Sequence, residues 1–313
     1  MLVFKRLKCV NNTKNIIRIL LMKKLKVGTR NSPLALLQAQ RVCDKLKIHN
    51  IDTEITKIQT SGDKDQTRPL ADLGGKVLFA KELQQALLNN DIDLAVHSLK
   101  DLETTHPKNL KLLATLERDH VGDVFITPKG CAQKYMQLSG PPFILGTCSP
   151  RRAFFIKNLY PNVIVQPLRG NIGTRLKTLA DGKINATIMA AAAIQRLNIK
   201  NDLEEKYDLI LLDQNIFTPA SCQGIIGVEG KEHLYDLMQY ISHAPTYAQS
   251  ILERYAVQCF QGTCHSAIGS LATIKGEKFN LQIQYKSPKT GDMTISTIEG
   301  KLQNYKTLIE DAF

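Results

Sequence analysis

Gly28-Thr29-Arg30-Asn31-Ser32-Pro33, near the start of the chain, and Gly146-Thr147-Cys148-Ser149-Pro150, near its middle, decide the fold. Each follows a short apolar run and opens an amphipathic one, so each reads as the end of a strand and the head of a helix. The serine is placed to cap, and the proline sits at the first helical position, where its missing N–H costs nothing. Working outward from the first signature, 25–29 reads as a strand and 33–47 as a helix. Residues 52–59 alternate as a second strand, a loop rich in Gly, Asp and Lys leads to a helix over 78–89, and 94–98 is the next strand. Around the second signature the same grammar returns: strands over 143–147, 163–166, 186–190 and 209–212, with a helix over 172–180. Such alternation predicts α/β layers with mainly parallel sheets, and the repetition predicts two domains of similar design. In each, a helix N-terminus lies beyond a strand's carboxyl end, where open α/β sheets bind ligands. Two such ends facing each other make an anion-binding cleft. A helix after Pro245 to about residue 260, antiparallel-looking runs over 266–298 and a closing helix near 302–311 mark a small third domain of α+β type. The expected domains are 22–117 plus about 218–240, then 118–217, then 241–313.

The formal charge of +12 invites a nucleic-acid reading, but nine of the 41 basic residues fall within the first 30, which hold no acid. That leaves 32 basic against 29 acidic residues in the body, and only 6% of the chain is aromatic, so a nucleic-acid groove is disfavoured. Residues 1–21 read either as an organelle-targeting segment or as sequence upstream of a start at Met22, and in neither case as part of the fold. Their apolar run is too short to span a bilayer. The seven cysteines form no C-x-x-C pair, which removes the main support for a zinc site and fits free thiols in a reducing compartment.

Four polar stretches sit at strand ends or in loops, where function concentrates. They are Arg30-Asn31-Ser32; the segment with Lys76 and Lys81; His97 to Asp101; and the arginines Arg151, Arg152, Arg169, Arg175 and Arg196. Singly, each charge would be a solvated face. Together at helix heads and strand ends, they point to one polyanionic ligand, since guanidinium forks hold carboxylates bidentately.

Seven stretches, in order, carry a resemblance: VGTRNSPLAL (27–36), LGGKVLFAKEL (73–83), DLAVHSLKDL (93–102), LGTCSPRRA (145–153), LRGNIGTRL (168–176), TPASCQGIIGVE (218–229) and FQGTCHSAIGS (260–270). From about Lys24 to Leu271 the chain resembles the porphobilinogen deaminase (hydroxymethylbilane synthase) family. The resemblance implies two domains like those of periplasmic solute-binding proteins around a cleft, with the small third domain carrying a primer cysteine. It implies stepwise condensation of four porphobilinogen molecules on a covalent dipyrromethane cofactor, then hydrolytic release of a linear tetrapyrrole, hydroxymethylbilane. Residue by residue, Cys264 would hold the cofactor through a thioether, and Asp101 would be the catalytic carboxylate. Loss of ammonia from porphobilinogen leaves an azafulvene, and coupling puts positive charge on ring nitrogens that a carboxylate can stabilise. Lys100, Asp101, Ser149, Arg151, Arg152 and Arg175 would bind the cofactor. Arg30, Ser32, Arg169 and Arg196 would bind substrate, and Lys76 and Lys81 would lie in or beside a lid, with Gly74 and Gly75 supplying flexibility. The resemblance further implies a cytoplasmic monomer, or an imported one if residues 1–21 are a targeting segment, with no metal, membrane or nucleic-acid partner.

Four positions depart from the family pattern: Glu103 and Ala267 stand for prolines, and Cys222 and Thr263 for glycines. If those glycines served a positive φ, their replacements are strained. The rival readings are a non-catalytic anion- or solute-binding protein with the same cleft, and a thiol enzyme built on Cys264-His265.

Overall fold

The structure is a computed structural model that describes residues 24–59, 77–260 and 266–312; Lys76, Thr263, Cys264 and the glycines at 74 and 75 lie outside them. Along the chain come β1 (Leu25–Arg30), α1 (Pro33–Ile48), β2 (Thr53–Ile58), α2 (Val77–Asn89), β3 (Leu94–Ser98), one 3-10 turn (Leu99–Asp101) and β4 (Lys111–Thr115). A second run holds β5 (Asp123–Pro128), α3 (Ala132–Tyr135), β6 (Phe143–Gly146), α4 (Pro150–Leu159), β7 (Val163–Gln166), α5 (Ile172–Ala180), β8 (Ala186–Ala190), α6 (Ala191–Leu197), α7 (Lys200–Lys206) and β9 (Tyr207–Leu211). The chain closes with β10 (Ile226–Gly230), α8 (Tyr235–Met238), α9 (Ala244–Cys259), β11 (Ile268–Lys275), β12 (Lys278–Lys286), β13 (Met293–Lys301) and α10 (Tyr305–Glu310).

Local chemistry starts the key helices. Ser32 caps α1, its Oγ accepting from the Ala35 N–H at 3.3 Å, and Pro33 follows at the first position. Ser149 caps α4 in the same way, accepting from the Arg152 N–H at 3.4 Å. The shared Gly-Thr of the two signatures is a packing requirement. A Cβ on Gly146 would stand 2.8 Å from Ile184 and Leu168, and one on Gly28 would run into Ile92.

Two five-stranded sheets have the same plan, β2-β1-β3-β10-β4 and β7-β6-β8-β5-β9. In each, the first three strands are parallel, the fourth is reversed against both neighbours, and the fifth turns back. The expectation of mainly parallel sheets therefore needs correction, because half the strand pairings in each five-stranded sheet are antiparallel. The reason is an exchange: the reversed strand of the first sheet, β10, comes after the whole second run, and that of the second sheet, β5, comes before the rest of its own. The chain thus crosses between sheets twice, over 116–122 and over 212–225. The strands β3 and β8 are buried along almost their full length, as central strands covered on both faces must be. The antiparallel sheet β11-β12-β13 packs its inner face, Ala272, Phe279, Leu281, Ile283 and Ile298, against α9 and α10. No helix among the described residues is long and apolar enough to cross a membrane.

Candidate active site

The two crossings lie side by side and are locked by their own backbone. Asp119 N–H donates to Gly224 O at 3.0 Å, and Gly224 has φ +85 with no room for a Cβ, which would meet Asp119 O. Gln223, fully buried, donates from Nε2 to Val121 O at 2.8 Å and accepts at Oε1 from Lys100 Nζ at 3.1 Å. Lys100 is thereby aimed from the turn after β3 toward the junction of the sheets.

Beside this junction is a cavity of about 580 Å³. Its walls include Lys100 and Glu103 from the turn, Ser149 and Arg151 from the head of α4, Cys222 from the second crossing, and Arg254 of α9 with Ser266 beyond it. A second cavity, of about 90 Å³, is bordered by Asp101, Arg30, Ser32 and His97. Consecutive residues, Lys100 and Asp101, therefore serve two different cavities. The structure thus places Lys100, Ser149 and Arg151 on the larger cavity and Arg30, Ser32 and Asp101 on the smaller one.

The arginines divide into committed and uncommitted groups. Asp123, which opens β5 and is buried, takes Arg151 Nη2 at 2.6 Å on one oxygen and Arg152 Nη2 and Nε at 2.6 and 3.1 Å on the other. Burial alone would raise the Asp123 pKa, but the charges of Arg151, Arg152 and Lys100 hold it well below the usual carboxylate range. Arg151 also donates to Thr218 O and lies against the rings of Phe155 and Phe217, and Arg152 donates to Ile188 O. Arg151 Nε, buried in the same region, has no hydrogen-bond partner among the described residues. Arg175 donates Nε to Gly170 O at 2.9 Å. Burial and the neighbouring Arg152 charge push its pKa down, and Cys148 and Asp101 offset this only in part. A half-buried guanidinium short of counter-charge is a site that an incoming carboxylate stabilises.

Arg196 stands elsewhere. Its Nε and Nη2 reach Asp119 Oδ2 and Gly224 O, both at 2.7 Å, and Arg41 of α1 holds the same carboxylate at 2.7 Å. It borders neither cavity and ties α6 to both crossings, where the sequence reading had it binding substrate. Arg152 likewise borders neither cavity. Arg169 is half-buried in the loop after β7, and Lys81 is an exposed residue of α2.

Sequence reasoning missed Asp123, Gln223 and Glu253. Asp123 had one local signal, an acid opening an otherwise apolar run. Glu253, fully buried, grips Arg118 at 2.6 Å and accepts the backbone N–H of Cys222 at 2.6 Å and of Ala272 at 2.8 Å. That ties the second crossing to the third sheet. The suspicion about Cys222 is met in part: it has φ +59, a left-handed backbone that glycine adopts without cost. Burial and the Glu253 charge push its thiol up to about 12, so it is protonated and inert although it touches the cavity.

Fold and site together define a two-lobed α/β protein with a small third domain and a cation-rich cleft at the double crossing between lobes. The family described as "Porphobilinogen deaminase, dipyromethane cofactor binding domain" matches residues 25–239. Porphobilinogen deaminase of Rickettsia bellii is 34% identical over 86% of this chain and 94% of its own. The probable porphobilinogen deaminase of Methanocaldococcus jannaschii is 40% identical over 79% of this chain and 82% of its own. Among solved structures, the periplasmic VFT2 domain of Bordetella pertussis BvgS is similar over 78% of this chain and 94% of its own, with 15% identity and a TM-score of 0.46. The chain belongs to the porphobilinogen deaminase family.

Proposed function

We propose that the chain is a hydroxymethylbilane synthase, a transferase that condenses four porphobilinogen molecules head to tail, with loss of ammonia, on a dipyrromethane held by Cys264 through a thioether. The linear tetrapyrrole then leaves by hydrolysis. The observation that carries the reading is the composition of the larger cavity: Lys100, Ser149 and Arg151 on its wall, Ser266, two residues past Cys264, on the same wall, and the Asp101 turn at its edge. Cys264 itself lies outside the described residues.

The donors fit an acidic dipyrrole. Lys100, the orphaned Arg151 Nε and the under-compensated Arg175 offer positive charge to acetate and propionate groups, and Arg30 and Ser32 offer a second set of donors beside Asp101. When bound, the cofactor supplies the terminal pyrrole carbon on which the chain is extended. Asp101 accepts ring N–H groups at its carboxylate oxygens and holds the proton that leaves as each ring is joined. Lys100, aimed by Gln223, fixes a carboxylate beside it. Arg152 and Asp123 support Arg151, while Arg169 and Arg196 complete the substrate-binding set, Arg196 from its place between α6 and the two crossings. The enzyme works as a cytoplasmic monomer without a metal.

Intact-mass spectrometry of the purified full chain tests this directly. The expected result is a covalently added dipyrrole, absent from Cys264→Ala, together with turnover of porphobilinogen. An unmodified protein that turns over porphobilinogen would sink the cysteine assignment, and an unmodified, inactive protein that still binds polycarboxylates would make it a binding protein.

A further inference from the structure

We propose that Arg254 is a positioning residue for the Lys100–Asp101 turn, acting through a buried chain, Arg254–His106–Glu229–His97, that brackets the turn on both sides. The assignment of a consequence for turnover rests on the function proposed above; the positioning itself does not.

Arg254 belongs to α9, the helix that leads toward Cys264. Its Nη1 and Nη2 donate to Leu102 O at 3.3 Å and Glu103 O at 2.5 Å, the carbonyls of the two residues after Asp101. Nη2 also lies 3.0 Å from His106 Nε2. A guanidinium can only donate, so His106 Nε2 accepts. The other ring nitrogen, Nδ1, is 2.7 Å from Glu229 Oε1, an ionised carboxylate that can only accept, so Nδ1 donates. His106 is thereby fixed as the neutral tautomer with its proton on Nδ1, since moving the proton or flipping the ring would break a contact at one end or the other.

Glu229 is fully buried in β10 beside a register shift in its pairing with β4, the kind of bulge that re-aims a side chain. Oε1 also accepts from Gln84 Nε2 of α2 at 3.0 Å, and Oε2 lies 3.0 Å from His97 Nε2, an electrostatic contact without hydrogen-bond geometry. His97 stands in β3 on the approach to Asp101 and borders the smaller cavity. One carboxylate and one guanidinium stand on either side of His106, so a polar path runs from α9 to the strand before the turn. One end holds the turn, since Arg254 binds the backbone just after Asp101; the other reaches His97, in the strand that leads into it. Among the remaining bonds of the turn, Leu99 N–H donates to Ile225 O at 2.9 Å and Leu102 N–H to Leu99 O at 3.2 Å. The stance of the Asp101 carboxylate is thus set from the domain that leads to Cys264. Its own lobe does not determine it alone.

Amide hydrogen exchange of the full-length enzyme, read by mass spectrometry, tests the positioning without reference to activity. In Arg254→Met, peptides covering 99–104 should exchange about tenfold faster or more, as expected when charge-assisted bonds to two carbonyls are lost, while peptides of β6 and β8 stay as they are. The two amide variants of His106 separate the ends of the chain. His106→Gln can place an oxygen where Nε2 accepts and should retain the turn's protection; His106→Asn can donate to Glu229 but reaches no farther and should lose it. This pair decides the matter should Arg254→Met fail to fold. In turnover, Arg254→Met and His106→Asn should lower kcat by about tenfold with KM within about twofold, and Arg254→Lys should restore part of kcat. Unchanged exchange at 99–104, or protection lost equally in all three sheets, overturns the proposal. The expected exchange pattern in a protein without turnover would leave the positioning intact and remove the enzyme reading instead.

Discussion

Replacing Glu229 by Gln removes the acid that His97 and His106 contact while keeping its shape, and its effect on stability can be worked out in advance. Burial would raise the Glu229 pKa, but its contacts with His106 and His97 outweigh it and bring the group from the usual 4.5 down to about 2. A carboxyl whose pKa is depressed in the folded state contributes stability that is fully present above its unfolded pKa and is lost as pH falls toward the folded one. The gap from 4.5 to about 2 corresponds to roughly 3 kcal/mol. The native protein should hold this contribution at pH 7 and begin to lose it below about pH 4.5, at no more than about 1.4 kcal/mol per pH unit for one proton. Glu229→Gln should be less stable by about 3 kcal/mol at pH 7, and the difference should shrink steadily between pH 4.5 and 3. Urea unfolding of both proteins across that range reads it, and because other carboxylates are common to both, the difference isolates this one. Parallel stability curves separated by a constant amount would refute the reasoning, for they would mean that Glu229 titrates alike in folded and unfolded chains.

Asp123→Asn leaves two buried arginines facing each other, so it should cost about 3–5 kcal/mol and abolish primer loading, seen as a lower melting temperature and a missing mass increment; an unchanged melting temperature would count against the clamp. Arg175→Met removes a half-buried cation that its surroundings disfavour, so the melting temperature should hold or rise while loading of the dipyrrole falls; intact mass and thermal unfolding together check both halves. Cys222→Gly exchanges left-handed strain for a lost buried thiol and should shift stability by about 1 kcal/mol or less, whereas the β-branched Cys222→Val should cost about 2 kcal/mol or more. Asp101→Asn should keep the primer in the mass spectrum and slow turnover severely; near-normal turnover would remove Asp101 from the chemistry.

Much of the site was legible because its signals are local. Ser32 and Ser149 cap the helices that Pro33 and Pro150 open, and the turn holding Lys100 and Asp101 announces itself as sharply polar residues ending an apolar strand. What the cations do was less legible. Arg151, Arg152, Arg175 and Arg196 look alike in the sequence, yet one acid pairs with the first two, another with the last, and Arg175 donates to the Gly170 carbonyl. Cys222 shows the opposite case, where a departure from the resembling pattern pointed to a left-handed backbone before any φ was known.

Sequence alone determined the strands and helices that flank the two Gly-Thr signatures, since periodicity, caps and turn chemistry act over a few residues, but it did not mark β4, β5 or β10. It also determined the family, through seven stretches in order. Tertiary structure alone decided that β5 and β10 change places between the sheets, that Asp123 answers two arginines, that Arg196 ties the crossings, and that Arg254 reaches back to the turn after Asp101. Those partners lie many tens of residues apart or depend on a reversed strand. A long-range pairing leaves no period in the chain, so only the folded backbone brings its two halves within hydrogen-bonding distance.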